Sequence, residues 1–337
     1  MLKMVGFLFG AGAERDGYNM PSGESFKEST LFLNDNESLI KPLCRHFKSI
    51  DTSINCSLLR RMNSSLDVKV LQSRLDSYFN SIISPEDHPQ WFSVVFNYYW
   101  SCYFSMIKPI ILKNECLKAK YMDTDEKLNV TCLLNNLKSV TESLYNAKYN
   151  VENAYYPLLK RAIDQDLFKL SGVITTNYYR FAEDAMNLND ENVAHINGKL
   201  SWFEYPRLLE VHDFTGKPPI PSNSIFFPFI FGQSYTKPIV DRKQIYEFYK
   251  ASRILEQSDV LVIIGYEISV DDNHLNSYLH GYAKQKPIIY VTDNNNRENV
   301  LNALKVSEKA HLELCLVDYM KQSVEERTNI IISQIMR

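Results

Sequence analysis

The chain contains 337 residues, of which 45% are hydrophobic and 23% are charged, and this composition suffices for one large core or two smaller ones. Its formal net charge of −3 provides no overall basic field, so we expect no direct nucleic-acid binding. The six cysteines include no Cys-x-x-Cys pair, which argues against a zinc ribbon or a disulfide framework and favours a reducing, cytoplasmic location.

The first predicted element is a buried strand over Met4–Phe9 that leads directly into Gly10-Ala11-Gly12-Ala13. Glycine lets a backbone approach a phosphate closely, so an apolar run that ends in glycines is typical of a phosphate-binding turn. Arg15 replaces the third glycine of the G-x-G-x-x-G fingerprint, so an ordinary tight turn is an alternative. A signal peptide shares this pattern, but we favour the strand because glycines follow it.

A long stretch without glycine divides the chain. No glycine occurs between Gly23 and Gly172, and apolar residues recur there at near-helical spacing. Tight turns between strands and helices need glycine, whereas helical bundles largely do not. We therefore predict an inserted helical domain over residues 36–165 and a sheet domain formed by residues 1–35 and 166–337.

Within this stretch, the aromatic-rich segment Trp91–Leu112 is long enough to be mistaken for a membrane span. Asn97, Ser101 and Lys108 interrupt it, and Pro109 falls inside it. The segment is therefore predicted to be a buried core helix, and no contact with a membrane is expected.

After residue 170, short apolar runs alternate with helical patterns. The predicted strands are Gly172–Thr176, Val193–Ile196, Ile225–Phe231, Val260–Ile264, Ile288–Thr292 and Leu312–Val317. The predicted helices are Arg242–Glu256, Asp272–Ala283, Arg297–Leu304 and Met320–Met336. Parallel neighbours need a crossover, so this alternation predicts an α/β fold with a doubly wound, parallel, Rossmann-like sheet and a large inserted helical domain.

Polar side chains follow two of these predicted strands. Asn177 comes directly after the strand that ends at Thr176, where an amide could hold a ribose hydroxyl or a water molecule. In an extended strand, His195 and Asn197 would lie on one face about 7 Å apart, so both could line one pocket. The alternative is a half-buried structural histidine beside an Asn-Gly turn.

Gly265 and Tyr266 follow the apolar run that ends at Ile264, which again predicts a central strand that opens into a loop. Asp271 and His274 could be imagined as metal ligands, but no third ligand has a supporting spacing. Helix capping by an aspartate is the favoured interpretation, and no metal is expected.

These segments together resemble the sirtuin family, in particular its divergent bacterial branch of NAD-consuming anti-phage defence proteins. The resemblance depends on six motifs in the following order: Gly10-Ala11-Gly12-Ala13, Met20-Pro21-Ser22-Gly23, Thr175-Thr176-Asn177-Tyr178, His195-Ile196-Asn197-Gly198, Pro228-Phe229-Ile230-Phe231-Gly232 and Ile263-Ile264-Gly265-Tyr266. It covers residues 1–30 and about 170–295, and it does not explain the insertion.

The resemblance implies that NAD⁺ is the substrate and that Asn177 and His195 are catalytic. Asn177 would hold the nicotinamide-ribose hydroxyls or the attacking water, and His195 would act as the base, since a free histidine titrates near neutral pH. The implied NAD⁺-binding residues, with Gly10, Ala11 and Gly12 as the phosphate cradle, are Gly10, Ala11, Gly12, Ala13, Pro21, Thr176, Asn197, Gly232, Gly265, Tyr266, Asp293 and Asn294.

The chain departs from the family pattern at several of these positions. Sirtuins usually have serine where this chain has Glu14, and often aspartate where it has Tyr179. Their catalytic histidine directly precedes a glycine, a position that Asn197 holds here, so His195 would have to act from two residues earlier. Sirtuin deacetylases also carry a four-cysteine zinc module, whereas no cysteine lies between His195 and Gly232.

The missing cysteines argue against a protein deacylase and favour an NAD⁺ glycohydrolase, an anti-phage defence effector that depletes NAD⁺. A non-catalytic module that binds NAD⁺ or ADP-ribose is the alternative, supported by Asn197 in the usual histidine position. The resemblance also implies a homo-oligomer or a separately encoded partner such as a hexameric translocase-type ATPase. The helical insertion could supply subunit contacts or simply close its own core.

Overall fold

The computed structural model describes residues 2–18, 154–205, 209–214, 227–231, 239, 241–268 and 272–337. The chain divides into two compact units, Met1–Phe26 with Ser143–Arg337 and Lys27–Glu142. All of the described residues belong to the first unit. Most of the predicted insertion, the segment Trp91–Leu112, and the predicted ligand-binding residues Pro21 and Gly232 lie outside the described residues.

The described part alternates strands and helices. Its strands are β1 (Met4–Phe9), β2 (Lys169–Thr175), β3 (Val193–His195), β4 (Gly198–Tyr205), β5 (Glu210–Asp213), β6 (Phe227–Ile230), β7 (Val260–Ile264), β8 (Ile288–Thr292) and β9 (Leu312–Leu316). Its α-helices are α1 (Ala11–Tyr18), α2 (Tyr155–Asp164), α3 (Phe181–Met186), α4 (Arg242–Gln257), α5 (Asn273–Ala283), α6 (Arg297–Leu304) and α7 (Val324–Ile335). No helix in these ranges is both long and apolar enough to cross a membrane.

Six strands form the main sheet in the order β3-β2-β1-β7-β8-β9. Every neighbouring pair is parallel. The chain proceeds outward from β1 to one edge and then returns to build the other edge from β7. This is the strand order of a doubly wound α/β sheet, and the predicted fold class is confirmed. The strand order reverses between β1 and β7, where such sheets bind their ligands.

The core occupies both faces of the main sheet because the central strands are mostly buried: β7 buries all its residues, and β1 buries all except Met4. On one face, Phe7 and Phe9 stack with ring centroids 5.5 Å apart, and Phe9 meets the ring of Tyr156 from α2 edge-on at 4.8 Å. Helix α7 covers the same face. On the other face, Leu8 and Ile174 pack against α4 and α5. The alternation of side chains along a strand produces these two layers.

A second, three-stranded antiparallel sheet in the order β5-β4-β6 was only partly predicted. The predicted strand Ile225–Phe231 was expected in the parallel sheet, but its described part, β6, pairs with β4 instead. Strands β4 and β5 were not predicted at all. Ser201 and Glu204 interrupt the apolar residues of β4, so neither a continuous apolar run nor a clean alternation marks it.

The predicted helices of the C-terminal part are confirmed, with changes at some ends. The segment Arg297–Leu304 is helical over the predicted range. Helix α7 starts at Val324 and not at Met320, because Ser323 and Glu326 form a reciprocal capping box. Helix α2 falls within residues 36–165, but its buried face belongs to the core of the main sheet.

Candidate functional site

Three strand ends meet at the point where the strand order reverses. The N–H of Gly10, after β1, donates to the carbonyl of Ile264 at 3.0 Å, and the N–H of Gly12 donates to the carbonyl of Gly265 at 2.9 Å. On the other side, the N–H of Thr176 donates to the carbonyl of Phe9 at 3.0 Å. The topology thus brings together three predicted ligand-binding segments that are far apart in sequence.

Glycine is required in this region because two loops pack directly on each other. A Cβ atom on Gly10 would lie 2.4 Å from the carbonyl oxygen of Gly265. A Cβ atom on Gly265 would lie 2.0 Å from the amide nitrogen of Ala13, and Gly265 has a φ of +66°. These distances are incompatible with any side chain at either position.

The predicted phosphate cradle needs correction for this reason. The N–H groups of Gly10 and Gly12 were expected to face a phosphate, but they donate to carbonyls of the neighbouring loop. Ala11, the first residue of α1, is exposed, and the first N–H groups of a helix have no partner within the helix. The start of α1 at Ala11 is therefore the part of the predicted cradle that faces outward.

Asn177 is buried at the centre of this site, with 6% of its surface exposed. Its side-chain Nδ2 donates to the carbonyl of Gly10 at 3.0 Å, and its backbone N–H donates to Oγ1 of Thr175 at 3.0 Å. Since the Gly10 carbonyl only accepts hydrogen bonds, this contact fixes which end of the amide is the nitrogen. The side chain is held in one orientation beside the glycine loop.

Glu14 lies next to Asn177, in the first turn of α1, and is 3% exposed. Its Oε1 accepts a hydrogen bond from the hydroxyl of Tyr156 at 2.9 Å. Burial raises the pKa of Glu14 to about 8, against the lowering effects of the Tyr156 hydroxyl and the Asn177 amide, and the nearby charge of Glu183 adds to the rise. The carboxyl is therefore neutral over much of the physiological range.

His195, the predicted base, lies behind Asn177 and is 1% exposed. Its Nε2 is 2.8 Å from Oε1 of Glu183, and its Nδ1 is 3.3 Å from the backbone carbonyl of Asn177. Both partners are oxygens that accept, so the ring satisfies both contacts only by donating from both nitrogens. A ring that is buried and held between these two oxygens is not presented to a substrate, and this geometry argues against the base role.

A buried network of charges surrounds His195. Lys199, which was not assigned a role from the sequence, has its Nζ 2.7 Å from Oδ1 of Asp190 and 3.1 Å from Oε1 of Glu183. Burial alone would raise the pKa of Glu183, but His195 and Lys199 outweigh it and lower this pKa to about 2. Glu247 accepts from the backbone N–H of His195 at 2.7 Å, which anchors the end of β3.

Strand β3 ends at His195, so the alternation of side chains along it does not extend to Asn197. The side chain of Asn197 is 4% exposed, and its Nδ2 donates to the carbonyl of Thr176 at 3.0 Å. The two side chains contact consecutive backbone carbonyls, those of Asn177 and Thr176, and that they line one pocket stays a prediction. Asn197 supports the residue directly before Asn177.

The remaining predicted residues divide into buried and exposed ones. Tyr266 is 4% exposed, and its hydroxyl donates to Oδ2 of Asp272 at 3.0 Å, so its polar end points into the protein. Asp293 and Asn294 are exposed directly after β8, at the same sheet edge. Nε2 of His274 lies 3.1 Å from Oδ1 of Asp272. The described residues contain no group of three histidine, cysteine, aspartate or glutamate side chains that could hold a metal ion.

The sequence matches no protein-family model and no curated protein. Solved structures that resemble it in fold are Sir2 homologues. One is a Sir2 homologue in complex with NAD, at 14% identity over 99% of this chain and 90% of that chain, with a TM-score of 0.48. Another is a mutant Sir2 homologue in complex with ADP-ribose, at 12% identity over 99% and 92%, with a TM-score of 0.46. Because both TM-scores are below 0.5, we base the fold class on the strand order and not on these structures.

Proposed function

We propose that the chain is an NAD⁺ glycohydrolase, which splits NAD⁺ and water into nicotinamide, ADP-ribose and a proton. The observation that carries the proposal is the position of Asn177. Its buried amide is fixed by the Gly10 carbonyl at the point where the order of strands reverses, beside the exposed start of α1. An ordered amide at this edge is suited to a nucleotide ribose, and the motif resemblance to sirtuins indicates the same ligand.

The reaction places modest demands on proton transfer. The bond between nicotinamide and C1′ of the ribose breaks, and its electron pair goes to the nicotinamide nitrogen, so the leaving group departs neutral. The ribose becomes an oxocarbenium-like cation, as in glycoside hydrolysis, and a water oxygen then bonds to C1′. The proton of that water passes to solvent. Positioning the ribose and one water is therefore the main task of the protein.

We assign the positioning of the ribose hydroxyls or the water to the Asn177 amide. The start of α1 at Ala11 is suited to the diphosphate, because helix N-termini favour anions. Asp293 and Asn294, exposed after β8, are suited to the adenosine ribose. His195 supports Asn177 through its backbone carbonyl and does not act as the base in this scheme.

The second candidate function is a module that binds NAD⁺ or ADP-ribose without cleaving it. One observation favours it: the His195 ring is buried and both of its nitrogens face oxygens of the protein, so the histidine of the motif is not presented to a substrate. A deacylase is disfavoured because the segment between His195 and Gly232 contains no cysteine for a zinc module. The three functions differ in what they release.

The test is to incubate the purified full-length chain with NAD⁺ and to quantify nicotinamide and ADP-ribose by chromatography. A glycohydrolase releases both products in equal amounts without any acyl-peptide. Binding of NAD⁺ by calorimetry without product would show a binding module and overturn the proposal. Release of nicotinamide only after addition of an acyl-peptide would identify a deacylase.

We also infer, from the motif resemblance, that NAD⁺ cleavage serves anti-phage defence in bacteria and is restrained by assembly. A homo-oligomer and a separately encoded hexameric translocase-type ATPase are the two forms of restraint to compare. Light scattering of the purified chain, alone and with its genomic-neighbour proteins, separates them. A monomer in both samples would contradict this inference.

A further inference from the structure

We propose that Glu183 is a positioning residue for the proposed reaction, which acts through the His195 ring to fix the backbone that carries the Asn177 amide. The proposal rests on the proposed function and extends it to a residue that lies outside the sequence motifs. Two features carry it: the contacts that hold the carbonyls around Asn177, and the buried link between His195 and Glu183.

Consecutive backbone carbonyls at positions 176–178 face the turn that joins β3 to β4 and the start of β4. The first accepts from Nδ2 of Asn197 at 3.0 Å, and the third accepts from the backbone N–H of Leu200 at 3.0 Å. The middle one, which belongs to Asn177, lies 3.3 Å from Nδ1 of His195. We name these contacts the carbonyl clamp. Because the carbonyl and the side chain of Asn177 share one Cα atom, the clamp also fixes where the amide lies.

The direction in which the His195 ring points depends on Glu183. An imidazole rotates about its side-chain bonds, so a single contact does not fix it. Nε2 of the ring lies 2.8 Å from Oε1 of Glu183, while Nδ1 faces the Asn177 carbonyl. His195 is 1% exposed and Glu183 is 2% exposed, so water does not compete for either contact. Glu183 therefore determines whether Nδ1 stays directed at the Asn177 carbonyl.

Glu183 is itself held in place by Lys199. The buried Nζ of Lys199 lies 3.1 Å from Oε1 of Glu183 and donates to Oδ1 of Asp190 at 2.7 Å. One carboxylate oxygen thus faces both the ring of His195 and the ammonium group of Lys199. A carboxylate can accept from both donors, and its negative charge balances the positive charge beside it. Lys199 therefore anchors the oxygen to which the ring is aligned.

The negative charge of Glu183 decides how many protons the ring can carry. Both ring nitrogens face oxygens, so the ring needs an N–H on each of them, which makes it a cation. A buried cation needs an opposite charge beside it. Glutamine at position 183 keeps an oxygen acceptor but removes that charge, so the ring should become neutral and donate to only one of its two partners. The ring then loses either the Asn177 carbonyl or its own support, and the carbonyl clamp is weakened in both cases.

The first test is a double-mutant cycle on nicotinamide release by the full-length protein. Misplacement of a reacting group by about 1 Å can cost about 100-fold in rate, so the loss of one clamp contact should cost about tenfold. Glu183→Gln and His195→Gln should therefore each lower kcat about tenfold and change KM less than about threefold. Because Glu183 acts through the ring, the double variant should be no slower than His195→Gln. Two independent effects would instead multiply to about 100-fold.

The matched control is Tyr282→Phe, which also removes a buried hydrogen bond, the one between the hydroxyls of Tyr282 and Ser258 at 3.1 Å. Ser258 precedes β7, at the edge of the sheet opposite the site. This variant should lose stability and keep kcat, so it separates the loss of a buried polar contact from the loss of positioning. Circular dichroism of each variant establishes folding.

The second test is the nitrogen-15 NMR spectrum of the His195 ring at pH 7, in full-length protein with labelled histidine. The ring is identified by its contact with the Trp202 ring, whose centroid lies 6.0 Å away. Both ring nitrogens should carry a proton in the wild type, and only one of them in Glu183→Gln. This measurement needs neither activity nor a His195 variant, so it decides the case even if His195→Gln does not fold.

The proposal is overturned if folded Glu183→Gln keeps the wild-type kcat, if the double variant shows the multiplied loss, or if the ring spectra of the wild type and Glu183→Gln are the same. If the wild type binds NAD⁺ without cleaving it, the glycohydrolase proposal fails and NAD⁺ affinity replaces kcat in the cycle. The single and double variants should then weaken binding by the same factor. Unchanged affinity in Glu183→Gln, or a multiplied loss in the double variant, would overturn the role of Glu183.

Discussion

Replacing Glu14 by glutamine removes an ionisable group that the fold keeps protonated, and the change should alter how stability depends on pH. Folding raises the pKa of Glu14 from 4.5 to about 8. Between these values, the folded state binds a proton that the unfolded chain releases. The contribution of Glu14 to the free energy of unfolding is fully present below pH 4.5. It falls as the pH rises towards 8 and is lost above pH 8.

The magnitude follows from the size of the shift. The pKa changes by about 3.5 units at 1.36 kcal/mol per unit, so the wild type loses up to about 5 kcal/mol between pH 4.5 and pH 8. About 3 kcal/mol of this is lost by pH 7. Glu14→Gln lacks this loss, so its free energy of unfolding relative to the wild type should increase steadily over this range.

Urea denaturation of the full-length wild type and Glu14→Gln at pH 5, 6, 7, 8 and 9 measures the effect. The control is Glu298→Gln, which changes an exposed glutamate in the first turn of α6. If glutamine packs imperfectly, the free energy of unfolding of Glu14→Gln is lowered by the same amount at every pH. Its dependence on pH is then unchanged. Glu14→Gln should become more stable relative to the wild type with rising pH, and Glu298→Gln should not. Parallel curves for Glu14→Gln and the wild type would refute the reasoning.

Three further predictions concern the network, the loop contact and acid stability. His195→Ala should lower the free energy of unfolding by about 3 kcal/mol, since it removes one partner of the buried Glu183 carboxylate, and an unchanged urea midpoint would contradict this. Gly265→Ala should lower the free energy of unfolding by about 2 kcal/mol or more, because its Cβ would meet Ala13. Gly281→Ala should be neutral or slightly stabilising, because its Cβ meets nothing within 4 Å. Equal melting temperatures for the two variants would argue against the loop contact. Glu183→Gln should reduce the loss of stability on acidification. Folding lowers the pKa of Glu183 to about 2, so its carboxylate stabilises the folded state at a pH above 4.5, and this contribution is lost as the pH falls towards 2. The same acid transition in the variant and the wild type would disprove the prediction.

Much of the main sheet was predictable because its central strands are buried on both faces. Strands such as Val260–Ile264 are continuous apolar runs that end in glycine, and this pattern is readable from local sequence. The antiparallel sheet was harder to predict because β4 carries Ser201 and Glu204 among its apolar residues. Its pairing with β6 joins positions such as Phe203 and Pro228, which are 25 residues apart, and local sequence does not report such contacts.

The candidate site was predicted in position better than in detail. Asn177 was placed correctly at a strand end, because strand ends share one edge of a parallel sheet. The expectation for His195 was based on a strand that continues to Asn197, whereas β3 ends at His195 and the ring faces Glu183 and the Asn177 carbonyl. The carboxyl of Glu14 is hydrogen-bonded to Tyr156, a partner 142 residues away, so no local pattern could indicate that it is buried.

The most direct test of the central claim compares nicotinamide release by Asn177→Ala with release by Asn302→Ala, an exposed asparagine on α6. Asn177→Ala should lose about 100-fold to 10,000-fold of the rate and keep its fold, because a positioned catalytic group is removed. Asn302→Ala should match the wild type. A folded Asn177→Ala protein that releases nicotinamide as fast as the control would contradict the assignment of the site.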